Sequence, residues 1–148
     1  MNKQTVKSVL IVEDDMLLSL VEERLIEKMG HKVAAKVGSG REAIDKAKEL
    51  NPDIILMDIV LKGDIDGIEA MEEIRKHSKV PVIYLSGNSD RFNFERAKKT
   101  GFTDYLVKPI TSNDLYKPFE KAFADDKDED RETSVFSRSE KANLNKTA

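Results

Sequence analysis

Five short apolar runs, each followed by a segment with helical periodicity, constrain this chain more than any other feature. Val9-Leu10-Ile11-Val12 is rich in β-branched residues and has no polar alternate, as a strand buried on both faces requires. Met16 to Met29 follows, with Leu18, Val21, Leu25 and Met29 at helical spacing and Gly30 as a C-cap. His31 to Val37 is a weaker strand. Gly38-Ser39-Gly40 turns the chain into a helix from Arg41 to Leu50, with Ile44 and Ala47 facing in. Asn51-Pro52 punctuates the chain, and Asp53 to Asp58 is the strongest central strand. Ile68, Met71 and Ile74 mark a third helix. Val80 to Leu85 is a fourth strand, with Pro81 near its start, where proline is tolerated. Arg91 to Thr100 is a fourth helix, and Phe102 to Val107 a fifth strand that Pro109 stops. Leu115, Phe119 and Ala122 define a last helix with Thr111 or Ser112 as N-cap. Pro118 inside it predicts a kink or a late start. The alternation predicts an α/β fold: a doubly wound, five-stranded parallel sheet with helices on both faces.

Composition narrows the setting. The 148 residues suit one domain, read here as 6–123. Residues 124–148 carry 7 acidic and 5 basic side chains with few large apolar ones, and read as a charged, disordered tail. No basic excess marks a nucleic-acid surface, since the net charge is −3. The absence of cysteine excludes disulfides, thiolate metal sites and cysteine nucleophiles. Apolar runs such as Val9–Val12 are far too short to span a bilayer, and the first residues lack a signal-peptide pattern. The expectation is a cytoplasmic protein without membrane contact.

In open α/β sheets, ligands bind beyond the carboxyl ends of the strands. Glu13, Asp14 and Asp15 follow the first strand, Asp58 ends the third, Ser86 follows the fourth and Lys108 the fifth. Clustered carboxylates repel and raise one another's pKa, and a hard cation with oxygen ligands relieves them. Lys108 adds a positive charge able to pair with Asp58 or a phosphoryl oxygen, and Ser86 a hydroxyl donor. Together these supply an oxygen nucleophile, a metal, a cation and a donor, the parts phosphoryl transfer uses.

Val12-Glu13-Asp14-Asp15, Leu56-Met57-Asp58-Ile59, Tyr84-Leu85-Ser86-Gly87 and Asp104-Tyr105-Leu106-Val107-Lys108-Pro109, in this order and spacing, resemble the response-regulator receiver domain of two-component signalling. The resemblance implies a flavodoxin-like (βα)5 sheet of strand order 2-1-3-4-5. It implies that Asp58 accepts a phosphoryl group from a histidine kinase or histidine phosphotransfer protein. Glu13, Asp14, Asp58 and the backbone carbonyl of Val60 would hold Mg²⁺, with Mn²⁺ or Ca²⁺ as substitutes. Ser86 and Lys108 would bind the phosphoryl oxygens, Tyr105 would switch rotamer with Ser86, and the Lys108–Pro109 bond would be cis. The phosphorylated form would change its binding to a downstream protein, as a chemotaxis-type stand-alone receiver does, with a weak homodimer as a further expectation. The loop Ile59 to Gly67 departs from the family in lacking its usual proline and in being one residue longer. An apolar Val60 beside the phosphoryl site gives little help to an attacking water, so slow self-dephosphorylation is expected.

Each motif alone has a plain explanation. Acids favour a helix N-terminus, Ser86 could be a turn residue, Lys108 a solvated strand end, and Tyr105 a packing residue. Gly38-Ser39-Gly40 lacks the rest of any phosphate-loop pattern. Lys62 to Glu73 partly mimics a calcium loop but places Lys62 at the first ligand position and Glu69 at the apolar eighth. His31 and His77 are isolated and receive no phosphotransfer role. Three alternatives stand beside the switch. The chain could be a receiver fragment of a longer regulator or hybrid kinase. It could be an aspartate-nucleophile phosphohydrolase, although Val60 stands where the second acid belongs. It could also be a flavin binder, although three acids occupy the phosphate position.

Overall fold

Successive side chains of a strand point to opposite faces, so a run without polar residues must be covered on both sides. In the computed structural model, which describes residues 5–88 and 90–124, this holds for three strands. β1 (Ser8–Val12), β3 (Ile54–Asp58) and β4 (Val82–Ser86) are buried at almost every position. β2 (Lys32–Val37) and β5 (Asp104–Val107) form the edges of a five-stranded sheet of order β2-β1-β3-β4-β5, parallel throughout. The helices between them are α1 (Met16–Lys28), α2 (Gly40–Leu50), α3 (Gly67–Ile74), α4 (Arg91–Lys98) and α5 (Ser112–Ala122). The expected doubly wound architecture and strand order are those observed. Among the described residues, no helix is long and apolar enough to cross a membrane.

Alternation sorts the core into two layers. Val9, Ile11, Ile54, Leu56, Ile83 and Leu85 pack with Ile26, Leu115 and Phe119 on the side of α1 and α5. Leu10, Val12, Ile55, Met57, Val82 and Tyr84 pack with Ala43, Ala47, Ile68, Met71, Ile74 and Ala97 from α2, α3 and α4.

A short polar residue precedes each helix. Asp15 Oδ1 accepts from the N–H groups of Leu17 and Leu18, at 2.9 and 3.0 Å. Ser39 Oγ accepts from Glu42 N–H, and Asp66 and Glu69 cap α3 reciprocally. Asn51 closes α2 in the left-handed conformation, φ 46°, which asparagine tolerates.

Three readings change. The inward face of α1 is set by Leu18, Ser19, Glu22, Leu25, Ile26 and Met29, while Val21 is exposed. The expected stripe ran through Val21 instead, and leaving it out forgoes part of a burial worth about 1.5–3 kcal/mol. Secondly, α5 starts at Ser112, directly after Thr111, and runs through a buried Pro118, so the late start is not found. Thirdly, β5 begins at Asp104, and Phe102 instead packs edge-on against Tyr84 and Phe94. The charged tail expected over 124–148 lies, from residue 125, outside the described residues.

Candidate functional site

Parallel strands open their carboxyl ends onto one edge, and the crevice lies where the chain reverses direction across the sheet, between β1 and β3. Backbone bonds carry the ladder past the strand ends. Glu13 N–H donates to Val37 O at 3.0 Å, Ile59 N–H to Leu85 O at 3.1 Å and Lys108 N–H to Ser86 O at 2.7 Å. These bonds fix three loops to the sheet just where the polar residues begin.

Glu13, Asp14 and Asp58 each present a carboxylate oxygen there, all within 4.8 Å of one another. Lys108 Nζ donates to Asp58 Oδ2 at 3.0 Å and to Glu13 Oε1 at 3.4 Å. The second Glu13 oxygen accepts from Asp15 N–H at 3.2 Å, and Asp14 Oδ2 from Lys62 N–H at 3.1 Å. The Lys108–Pro109 peptide is cis, as expected. Glu13 and Asp58 are buried, whereas Asp14 is half-buried at the rim.

One ammonium does not balance this many acids. Burial, and then a hydrogen-bonding contact with Glu13, push Asp58 from 3.8 to about 7 against the pull of Lys108. Burial works against the charge on Lys108, but its bond to Asp58 and the negative charges of Asp58 and Glu13 outweigh that and raise its pKa. Three convergent hard oxygen donors with surplus negative charge fit a hard divalent cation such as Mg²⁺.

Residues 9–120 match the family model of the response regulator receiver domain. The chain belongs to the response-regulator receiver family. The receiver is 35% identical over 116 residues to the chemotaxis protein CheY of Thermotoga maritima, covering 78% of this chain and 96% of that one. It is 34% identical over 116 residues to the transcriptional regulatory protein PdtaR of Mycobacterium tuberculosis, where the match covers 78% of this chain but only 56% of PdtaR. Thus the chain matches nearly the whole of one relative and about half of another. Among solved structures, the signal receiver domain of a modulated diguanylate cyclase from Desulfovibrio desulfuricans superposes with a TM-score of 0.77 at 34% identity, covering 84% of this chain and 99% of that one. The receiver domain of the sensor histidine kinase PA1611 from Pseudomonas aeruginosa, described with a magnesium ion coordinated in its active-site cleft, gives 0.72 at 30% identity, covering 81% and 99%.

Within the receiver, the other expected residues occupy distinct positions. Ser86 is buried at the same edge, but its Oγ bonds to the backbone O and N–H of Asn88 rather than to an acid. The Val60 side chain is exposed. Tyr105 turns inward, its ring against Tyr84, Phe94 and Phe102, and its buried hydroxyl has no hydrogen-bond partner among the described residues. The acids of the calcium-like register are used elsewhere: Asp64 pairs with Arg41, and Asp66 caps α3 and accepts a two-pronged bond from Arg96. His31 is buried, accepts Lys7 N–H at Nδ1 and stacks on Phe119, a packing role.

The sequence reading missed Glu22. It is only 3% exposed, on the inward face of α1 and close enough to Glu13 to feel its charge. Burial, and then its closeness to Glu13, push its pKa up from 4.5 to about 9. The signal was present in the chain: phasing the helix on Leu18, Leu25, Ile26 and Met29 puts Glu22 in the middle of the apolar stripe.

Proposed function

We propose that this receiver is a phosphoacceptor switch of a two-component phosphorelay, with Asp58 as the acceptor. The observation that carries this reading is the Asp58 carboxylate at the end of a buried strand, held on one oxygen by Lys108 and faced by Glu13 and Asp14. A histidine kinase or histidine phosphotransfer protein supplies the phosphoryl group. The Asp58 oxygen not held by Lys108 attacks phosphorus and forms the O–P bond. The P–N bond to the donor imidazole breaks, and its electron pair leaves on that nitrogen. Lys108 is placed to neutralise an incoming phosphoryl oxygen, and Ser86 to donate its hydroxyl after releasing Asn88. Glu13, Asp14, Asp58 and the Val60 carbonyl are the proposed cation ligands. A bound Mg²⁺ would keep Asp58 ionised and draw off charge from the phosphoryl oxygens.

Movement of Ser86 would release the backbone of Asn88, which leads into α4, whose Phe94 packs on Tyr105, and so change the surface offered to a downstream protein. Met16 and Leu17, at the start of α1, and Val60 are exposed apolar residues beside the acids, suited to a docking kinase. The switch would act in the cytoplasm, without binding nucleic acid directly.

Incubation with acetyl phosphate and Mg²⁺, followed by intact mass, tests the reading beside Asp58→Asn. A single phosphoryl adduct that needs the cation and vanishes in the variant is the expected result. An adduct that survives in Asp58→Asn would move the acceptor elsewhere.

A further inference from the structure

We propose that the ion pair between Arg96 and Asp66 is a latch that holds α4 in its resting place and opposes phosphorylation of Asp58. The latch rests on the reading of Asp58 as the phosphoacceptor, and it reaches that residue from the α3 side rather than through Ser86 and Tyr105.

α4 is anchored at its carboxyl end. Thr100 Oγ1 donates to Ala97 O at 2.6 Å and pairs with the Tyr84 hydroxyl at 2.7 Å, and Arg75 Nε donates to Thr100 O at 2.7 Å. Among the described residues of α4, only Ala97 is buried. Towards the amino end, Phe92 is 70% exposed, and Phe94 is 37% exposed while resting on Tyr105 and Phe102. So little apolar burial leaves the position of this half to directed bonds.

Arg96 supplies such bonds. Its Nη1 donates to Asp66 Oδ2 at 2.9 Å and its Nη2 to Asp66 Oδ1 at 3.3 Å, a two-pronged grip on a residue 30 positions away. Asn93 Oδ1 accepts from Nη1 at 3.0 Å and steadies the fork. The two side chains are 27% and 28% exposed. Fully exposed ion pairs contribute little, but this one is bidentate, partly sheltered and set on a helix with one buried residue. Asp66 in turn leads to the phosphoacceptor. It caps α3 by accepting Glu69 N–H at 2.8 Å, and the next residue, Gly67, donates its N–H to Ile59 O at 2.8 Å. A Cβ on Gly67 would lie 2.1 Å from the Asp58 carbonyl oxygen, so the two backbones touch. Arg96, Asp66, Gly67 and Asp58 thus form one line from α4 to the acceptor strand.

The sign of the effect follows from geometry. When Ser86 turns from Asn88 to a phosphoryl oxygen, it releases backbone just ahead of Asp90, the N-cap of α4. The amino half of α4 then swings about its anchored end and carries Arg96 with it. Hydrogen bonds are lost beyond about 3.5 Å, so a shift of about an ångström opens the fork, whereas the Phe94 ring slides on Tyr105 without losing contact. A bond made only in the resting arrangement opposes phosphorylation by as much as it stabilises that arrangement, and the coupling is reciprocal.

The test uses the full chain, Arg96→Met, Asp66→Asn and the double variant. Asparagine keeps the α3 cap, because it caps as well as aspartate, and removes only the charge. Two quantities are read: the affinity for the phosphoryl mimic beryllofluoride in Mg²⁺, by titration calorimetry, and amide hydrogen exchange of α4 without it. Each single variant should bind the mimic about fivefold more tightly, the low end of couplings between sites, and its α4 amides should exchange faster. The double variant should gain no more than either single, since both remove one pair. Faster exchange with unchanged affinity would make the pair a purely structural tie and overturns the proposal. Weaker binding of the mimic overturns it as well, because the pair would then support the phosphorylated arrangement. Should Arg96→Met fail to fold, Arg96→Gln replaces it under the same criteria. A wild type that binds no mimic and takes no phosphoryl group from acetyl phosphate overturns the phosphoacceptor reading instead, and the latch with it.

Discussion

Gly67 opens α3 with its backbone pressed against the proposed phosphoacceptor, and Gly67→Ala therefore probes how tightly Asp58 is held. A Cβ there would lie 2.1 Å from the Asp58 carbonyl oxygen and 2.9 Å from Met57 Cγ. Ordinary close C···O approaches are about 3.3 Å, so more than an ångström must open between α3 and β3. The atom struck is backbone, so no rotamer change relieves it. The bond from Gly67 N–H to Ile59 O, 2.8 Å, spans this gap and must lengthen or break. Losing it costs about 1 kcal/mol, and the overpacking a further ~1–3 kcal/mol. At roughly 3–5 °C per kcal/mol for a domain of this size, Tm should fall by about 10 °C. Circular-dichroism melting in EDTA measures this, with Gly87→Ala as control, since a Cβ there meets nothing within 4 Å. Acetyl-phosphate labelling should slow in Gly67→Ala, because Asp58 shares the displaced backbone. A Tm for Gly67→Ala within about 2 °C of wild type, less than one kcal/mol on that scale, would show that the β3–α3 packing gives way easily and that the close approach constrains nothing.

Acid titration should give this receiver an unusual pH profile. Asp58 and Glu22 keep protons in the fold, to about 7 and about 9, that the unfolded chain releases near 3.8 and 4.5. Between those limits the native state binds more protons than the unfolded state. Stability is therefore greatest below pH ~4 as far as these groups are concerned, and declines as pH rises through 7 towards 9. Urea melts in EDTA should show the decline, Asp58→Asn should flatten its lower part, and a rise in stability over that range would contradict the burial argument. Lys108→Met removes the cation that holds Asp58 down, so the Asp58 midpoint, followed by ¹³C NMR in EDTA, should move above about 7. A midpoint that stays put or drops would mean that Lys108 does not govern the site. Finally, the exposed, apolar Val60 offers nothing to orient a water. The acyl phosphate should be long-lived, and decay within seconds in a phosphate-release assay would count against this.

Much of the architecture was legible because it rests on local periodicity. Runs such as Val9–Val12 and Ile54–Met57 have one way to be buried on both faces, and Asp15, Ser39, Asp66 and Thr111 start helices by capping chemistry that needs no distant partner. The candidate site was legible for a related reason. Once the strands run parallel, every residue just past a strand end shares one edge, so Glu13, Asp14, Asp58 and Lys108 had to meet.

The phase of α1 was not legible in the same way. Val21 and Glu22 are neighbours in sequence, and hydrophobicity favours burying the first. Which one faces the sheet depends on how the helix leaves Asp15 and packs on β1 and α5, and that is a matter of tertiary packing. The same holds for the Ser86 hydroxyl, bound to Asn88 rather than to an acid, and for the inward Tyr105 ring, which rests on Phe94 and Phe102 from α4 and the loop after it. Sequence by itself determined which elements form and which edge carries the acids, because period and strand direction are local properties. Only the tertiary structure decided which way each side chain turns at that edge, because orientation depends on neighbours far away in the chain.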